Sequence, residues 1–143
     1  MLAGLLAIVA AALFAGAAIY ITVAEQPARL MLDDRAALIQ WKPAYARGFA
    51  MQATLAVVGF ALGVLAWWST SNGWWLAAAV VLVANWPFTL FGIMPTNHKL
   101  NAIAPEAAGP ASRALLVRWG HLHAVRSGLG TLAVVLSLVA ATR

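Results

Sequence analysis

Side chains that could do chemistry are few in this sequence, and several of them recur at helical spacing. Trp119, His123 and Arg126 are separated by steps of four and three residues, which places all three on one face of a helix. A neutral imidazole can act as a general base near physiological pH. A guanidinium can stabilise an oxygen on which negative charge develops. The stripe is therefore compatible with a site of proton transfer, and a buried histidine with a purely structural role is the alternative.

A second polar stripe occupies the preceding apolar segment, with small and polar residues at steps of four, three and four: Asn85, Thr89, Gly92 and Thr96. Asn97 and His98 follow at once, and Pro87 and Pro95 bracket the stripe. Each proline removes a backbone donor and can kink a helix, which frees carbonyls for a ligand or a neighbouring hydroxyl. Two prolines around a polar stripe predict a built cavity.

The amino-acid composition indicates whether the protein lies in water or in a membrane. The chain has 143 residues, of which 64% are hydrophobic and 9% are charged, whereas soluble domains have about 45–50% and roughly 25%. So few charges exclude a disordered chain or an ordinary cytosolic enzyme, and the lack of cysteine excludes a disulfide scaffold. Nine Lys and Arg residues are too sparse for a nucleic-acid-binding face. The expected partner is the lipid bilayer.

Four segments are long and apolar enough to span a bilayer, which takes about 20 residues. They cover about 2–24, 47–69, 74–96 and 114–141, and they are too long and too continuously apolar for barrel strands. The prediction is an all-α, integral membrane, antiparallel four-helix bundle that forms a single domain, with long loops at 25–46 and 97–113. The first segment has no basic leader or cleavage site, so a retained helix is expected.

The distribution of charge predicts the orientation in the membrane. Both long loops lie opposite the termini and carry most of the basic residues: Arg29, Arg35, Lys42, Arg47, Lys99, Arg113 and Arg118. Arg143 is the only one near the other side. The positive-inside rule then places the long loops in the cytoplasm and both termini outside an inner (plasma) membrane. Four tryptophans between 67 and 75 form the expected aromatic belt at the outer interface.

The antiparallel topology brings the polar residues to the cytoplasmic end of the bundle: Glu25, Tyr45, Gln52, Thr96, Asn97, His98, Trp119, His123 and Arg126. Arg126 lies about 18 Å into its helix at 1.5 Å per residue. At that depth it is expected to face the interior and to need an acceptor, for which Glu25 is the predicted partner. An ion pair that only fixes helix register is the alternative reading.

These residues resemble a known family. The run Asn85-Trp86-Pro87-Phe88-Thr89, followed by Met94-Pro95-Thr96-Asn97 and Leu100, is similar to the central signature of the anthrone oxygenase-like membrane family. Tyr20 and Glu25, with Pro27-Ala28-Arg29, resemble its first-helix ending, although Gln26 stands where His is expected. The spacing of the Trp119, His123 and Arg126 stripe matches the family's fourth helix. The resemblance covers nearly the whole chain.

The resemblance implies a four-helix membrane protein and an oxygenase-like function. Fungal members oxidise polyketide anthrones to anthraquinones with molecular oxygen and without a conventional cofactor. The catalytic positions implied here are His123 as the base, Arg126 and Asn97 as donors to the enolate oxygen, and Glu25. The implied substrate contacts are Trp119, Thr96, Tyr20 and Thr89. A lipophilic aromatic molecule, such as an anthrone or a quinol, is the expected substrate in a cytoplasm-facing pocket.

Two other classes of function remain open from the sequence. Glu25, His98 and His123 form a conceivable two-histidine, one-carboxylate site for iron or copper, and a haem is a further alternative. Arg126 opposes such a cation unless Glu25 neutralises it. The third class is non-enzymatic, namely a small transporter or an accessory subunit of a membrane complex. Glycine and alanine stripes would also allow a homo-oligomer.

Overall fold

Four long helices make up nearly all of the protein. The computed structural model describes residues 1–143 and contains α1 (Leu2–Leu30), α2 (Asp34–Thr70), α3 (Gly73–Ala102) and α4 (Pro110–Thr142). A single 3₁₀ turn, Pro105–Ala107, lies in the last connection, and there is no strand. All four helices are long and apolar enough to cross a membrane. The predicted all-α, four-helix membrane class is confirmed.

The helices form an antiparallel bundle in which α1 packs against α2 and α4, and α3 packs against the same two helices. The connections 31–33 and 103–109 lie at one end, called the polar end below. The opposite end, called the tight-turn end, carries residues 71–72 and both chain termini. The orientation of these ends across a membrane stays a prediction.

Small residues let the helix backbones approach closely. A Cβ atom at Gly59 would lie 2.4 Å from Leu82 Cδ2, and one at Gly63 would lie 2.8 Å from Ala79 Cβ. On α4, a Cβ atom at Gly130 would lie 2.9 Å from the Phe14 ring. Without a hydrophobic driving force between helices in lipid, such close van der Waals packing is what holds a bundle together.

The predicted loop 25–46 is wrong, because most of it is helical. α1 continues to Leu30 and α2 begins at Asp34, where the side chain of Asp33 accepts a hydrogen bond from the Ala36 N–H at 2.9 Å. The first turns of α2 bury Ala37, Leu38 and Trp41 against the other helices. Asp34, Arg35, Gln40 and Lys42 lower the mean hydropathy of this segment, so its sequence does not look like a membrane span.

The predicted end of α1 at Pro27, and the predicted loop at 97–113, are also wrong in part. A wide π turn precedes a proline in both α1 and α3, at Ile21–Glu25 and Thr89–Ile93. Pro27 and Pro95 are each the second residue after such a turn. A proline lacks the N–H group and clashes with the carbonyl four residues back in a regular helix. The wider turn gives the ring room, so both helices continue past their prolines.

Basic residues at the polar end cap carbonyl groups as well as carrying charge. Arg113 forms an ion pair with Asp34 and donates a hydrogen bond to the Leu30 carbonyl at 2.9 Å. Lys42 Nζ donates to the Ile103 carbonyl at 2.7 Å. These contacts hold both connections against the bundle.

Replacing Gly63 tests the close packing of α2 and α3. Gly63→Leu is expected to lower the free energy of unfolding by about 1–3 kcal/mol, because the added side chain forces the two backbones apart. Gly128→Leu is the matched control, since a Cβ atom there meets nothing within 4 Å. Unfolding of both variants in detergent micelles measures the difference. Equal stability of the two variants would contradict this packing.

Candidate functional site

The polar stripe of α4 is buried and faces the interior of the bundle. Trp119, His123 and Arg126 are 4%, 3% and 6% exposed. The rings of Trp119 and His123 stack with their centroids 4.9 Å apart and an interplanar angle of 29°. Stacking and burial together fix the plane of the imidazole, so its nitrogen atoms point in defined directions.

A hydroxyl pair from α1 and α4 holds one imidazole nitrogen. Thr22 Oγ1 lies 3.3 Å from His123 Nδ1 and 2.8 Å from Ser127 Oγ. Thr22 belongs to the wide turn of α1. No protein group bonds to Nε2 of His123, so this nitrogen is free to meet a ligand.

An aromatic cluster continues from this ring pair into α2. Trp41 meets Trp119 edge to face, with centroids 6.0 Å apart at 85°. Trp41 also stacks on Tyr45, at 4.8 Å and 2°. Edge-to-face and stacked pairs are favourable arrangements of aromatic quadrupoles. The first turns of α2, which the sequence prediction treated as a loop, thus support the histidine through Trp119.

A cavity at the polar end collects most of the predicted catalytic residues, and we call it the central cavity. Its empty space is about 380 Å³ with its open mouth included, but beyond the mouth only water-sized molecules fit. Thirteen residues line it: Ile21, Glu25, Arg29, Ala44, Tyr45, Gly48, Phe49, Gln52, Ile93, Asn97, Trp119, His123 and Arg126. All four predicted catalytic residues, and Trp119, are therefore brought together.

The predicted ion pair between Glu25 and Arg126 is wrong. Glu25 instead pairs with Arg29, one turn further along the same helix. This pairing exists because α1 continues past Pro27. No carboxylate pairs with Arg126, and its guanidinium lies 5.5 Å from the centroid of the Phe14 ring. The bundle therefore holds a buried cation without a counter-ion.

Arg29 is the opposite case, a buried cation whose partners surround it. Its guanidinium contacts Glu25, the Oε1 atom of Gln26 at 2.5 Å, and Gln40 on α2. It also lies 5.4 Å from the centroid of the Trp119 ring, within the range of a cation–π interaction. Arg29 thus ties the end of α1 to α2 and α4.

Buried polar atoms without a hydrogen-bond partner gather around the central cavity. Four belong to its lining: Gln52 Nε2, Asn97 Oδ1, Trp119 Nε1 and Arg126 Nε. Leaving one such group unsatisfied costs about 1–3 kcal/mol. Proteins rarely leave several together, so the cavity is built to receive water or a ligand with polar atoms.

A second, smaller cavity adjoins the first. It encloses about 260 Å³ with its opening, and Gln52, Phe49 and Arg126 line both cavities. Asn85 Oδ1 and Thr89 Oγ1, two further unpartnered atoms, belong to residues that line the second one. The side chain of Arg126 therefore lies between the central cavity and the second cavity.

Three predicted substrate contacts lie outside the central cavity. Tyr20 is 62% exposed on the outer surface of α1. Thr96 is buried but does not line the cavity, because successive helical residues point about 100° apart and Asn97 faces inward instead. Thr89 lines the second cavity only.

The predicted metal triad does not assemble. Glu25 and His123 line the central cavity, whereas His98 is exposed on α3 and is not part of the lining. Nowhere in the protein do three His, Asp or Glu side chains lie where they could hold one metal ion. The donor set that the sequence suggested therefore does not fit a metal centre.

Sequence reasoning missed Thr22, Arg29 and Trp41 as parts of the site. Arg29 and Trp41 fell in a presumed loop, and their burial depends on the helices that replace it. Thr22 was visible as a lone hydroxyl near the end of an apolar segment. Thr22 lies three residues before Glu25, but this spacing shows that both face the site only when the wide turn is known.

Arg29 is expected to stabilise the bundle through its contacts. Arg29→Met should lower the free energy of unfolding by at least about 2 kcal/mol, because it leaves Glu25 without a partner and removes charged hydrogen bonds. Arg35→Met is the matched control, since the pair of Arg35 with Glu106 is exposed on both sides. Chemical unfolding in micelles compares them. A loss of the same size in both variants would contradict a structural role for Arg29.

The chain is similar to one protein family and to two known proteins. A protein-family model described as anthrone oxygenase matches residues 41–136, a range that includes Asn97 and the α4 stripe but not Glu25. The anthrone oxygenase ptaC of Pestalotiopsis fici is 34% identical over 116 residues, which cover 69% of this chain and 80% of the relative. The anthrone oxygenase tpcL of Aspergillus fumigatus is 42% identical over 69 residues, which cover 44% of this chain and 41% of the relative. No solved structure matches.

Proposed function

This chain belongs to the anthrone oxygenase family, and we propose that it oxidises an anthrone, a quinol or a similar lipophilic aromatic substrate with molecular oxygen in the central cavity. The single observation that carries the proposal is Arg126, a buried cation without a counter-ion, which lines the same cavity as His123. A base and an unneutralised cation in one cavity suit a substrate that becomes an anion during reaction.

His123 serves as the base. When Nδ1 donates a hydrogen bond to Thr22, Nε2 carries the basic lone pair and faces the cavity. It takes a proton from the activated carbon of the substrate, and the electron pair of that C–H bond moves towards the carbonyl oxygen. Thr22 is a positioning residue in this scheme, because it holds the imidazole without touching the substrate.

Arg126 and two amides stabilise the enolate oxygen that forms. The Gln52 Nε2 donor has no partner in the protein, and the Asn97 amide makes only a long contact of 3.9 Å to the Met94 sulfur. Removal of one such donor from an oxyanion site costs about 10²–10³ in kcat in other enzymes. Trp119 acts on the base rather than on the substrate, because its ring already stacks on His123 and carries the Arg29 guanidinium.

The reaction balances with oxygen as the only co-reactant. The carbanion adds O₂ at the activated carbon, and the proton from His123 returns to give a hydroperoxide. Loss of water from the hydroperoxide leaves a carbonyl group, so one oxygen atom enters the product and the other leaves as water. His123 takes and returns the proton, and Arg126, Gln52 and Asn97 stabilise the enolate oxygen. Metal analysis of purified, active protein checks whether these side chains act without a metal ion.

The size of the cavity sets the pose of the substrate. Only water-sized molecules fit beyond the mouth, so the ring system of the substrate lies at the mouth. This position keeps the apolar rings near lipid. We place the polar end on the cytoplasmic side of the membrane, as the charges of its connections favour.

Replacement of His123 tests the base. His123→Ala is expected to lower the rate of oxygen uptake with an anthrone substrate by about 10²–10⁴, the usual contribution of a general base. His121→Ala is the matched control, because His121 lies two residues away on the exposed face of α4. Uptake that is unchanged in His123→Ala, in folded protein, would contradict the proposal.

Replacement of Arg126 separates function from stability. Arg126→Met should lower kcat by about 10²–10³ while leaving the free energy of unfolding equal or higher, because it removes a buried charge that has no partner. Oxygen uptake and unfolding in micelles are measured on the same preparation. A large loss of stability with full activity would make Arg126 a structural residue.

A further inference from the structure

We infer that the substrate reaches the central cavity from within the bilayer, sideways between α1 and α2, through an opening beside Gly48. The inference rests on the proposed function for the identity of the substrate. The route itself follows from exposure, spacing and depth.

The opening is defined by the partly exposed residues of the cavity lining. On α1 these are Ile21 and Glu25, and on α2 they run from Ala44 to Phe49. Every lining residue contributed by α3 and α4 is buried. The central cavity therefore opens between α1 and α2, and not along the axis of the bundle.

Gly48 lies in a gap, unlike the other glycines on the same side of α2. A Cβ atom at Gly48 would meet only Ile21 Cδ1, at 3.9 Å, whereas those at Gly59 and Gly63 would clash with α3. Ile21 begins the wide turn of α1. The gap is thus where α1 departs from regular helix, and the missing side chain of Gly48 keeps it open.

The depth of the gap is set by the tryptophans at the tight-turn end. Trp68 and Trp74 are 79% and 44% exposed, as expected for an interfacial belt. Gly48 precedes Trp68 by about 20 helical residues, or about 30 Å, which is the thickness of the hydrocarbon core. Arg47 is exposed next to it, where its cation can reach the headgroups. The mouth therefore lies at the boundary between acyl chains and headgroups.

An apolar groove on the outer face leads to this mouth. It follows the same α1–α2 seam towards the middle of the bilayer, and its lining includes Gly16, Ala17, Ala50 and Met51. A Cβ atom at Gly16 meets nothing within 4 Å. The groove ends about one turn from Ile21 and Gly48, so a flat apolar molecule can slide along it and turn its polar edge into the cavity. Inside the cavity, this edge can bond to the unpartnered atoms of Gln52, Asn97 and Arg126.

A steric block tests the route through activity. Gly48→Leu fills the gap and should lower kcat/KM for a lipid-partitioned anthrone by at least about tenfold. Gly128→Leu is the matched control, because Gly128 is an equally open, exposed glycine on α4. Both variants should keep the thermal unfolding of the wild-type protein, since an added Cβ atom clashes with nothing at either position. Full activity of Gly48→Leu would overturn the inference.

A spin-label experiment tests the route without turnover. The chain has no cysteine, so Gly48→Cys, Gly128→Cys and Glu106→Cys each give one labelling site. In phosphatidylcholine vesicles, the label at 48 should collide more with dissolved oxygen than with a water-soluble nickel chelate, while the label at the exposed position 106 should do the reverse. Added anthraquinone should slow the motion of the label at 48 and not at 128.

The two experiments separate the inference from the proposed function. A label at 48 that faces lipid and responds to anthraquinone, in a protein that does not turn over anthrones, would support the route and overturn the proposed reaction. A label at 48 that collides with the nickel chelate as strongly as the label at 106 would overturn the route, whatever the activity. A lipid-facing label at 48 whose motion anthraquinone leaves unchanged would also overturn it.

Discussion

A guanidinium without a counter-ion, buried among four apolar helices, is the constraint on which the rest of the site depends. Charges within membrane spans are costly and generally face the interior or a polar cavity. Arg126 follows this rule, because it faces two adjoining cavities that polar side chains line. No carboxylate neutralises it, and several polar atoms nearby also lack a partner in the protein. In the proposed reaction this cation meets an anion that forms on the substrate.

Two wide turns make this arrangement compatible with continuous helices. They precede Pro27 and Pro95, so neither proline ends its helix. Beyond the first turn, α1 carries Arg29 to its acceptors and to Trp119. Within the turn, Thr22 meets His123, and Ile21 leaves the gap opposite Gly48. Irregular backbone in a membrane helix is tolerated where it lines a cavity, and here it shapes the wall and the mouth of the cavity.

The two buried arginines have different roles: Arg29 stabilises the fold, and Arg126 is the proposed binding group. Arg29 has an ion pair, two amide acceptors and an aromatic ring, and so it fixes three helices relative to one another. Arg126 has only the ring of Phe14 beside it, and no carboxylate pairs with it. The chain belongs to the anthrone oxygenase family, and the reaction proposed above uses this division, since a forming enolate is stabilised by a cation that the protein itself does not neutralise.

The sequence by itself determined the four spans, their antiparallel order and the polar stripe of α4, because apolar length and helical spacing are properties of local sequence. It also brought Glu25, Asn97 and His123 to one end of the bundle, where they line a single cavity. Tertiary structure decided the partner of Glu25, the burial of Arg29 and Trp41, and the outward position of Tyr20. Those outcomes depend on helices that continue through prolines and through polar stretches. Such continuation is stabilised by packing between helices, which no single segment of sequence contains.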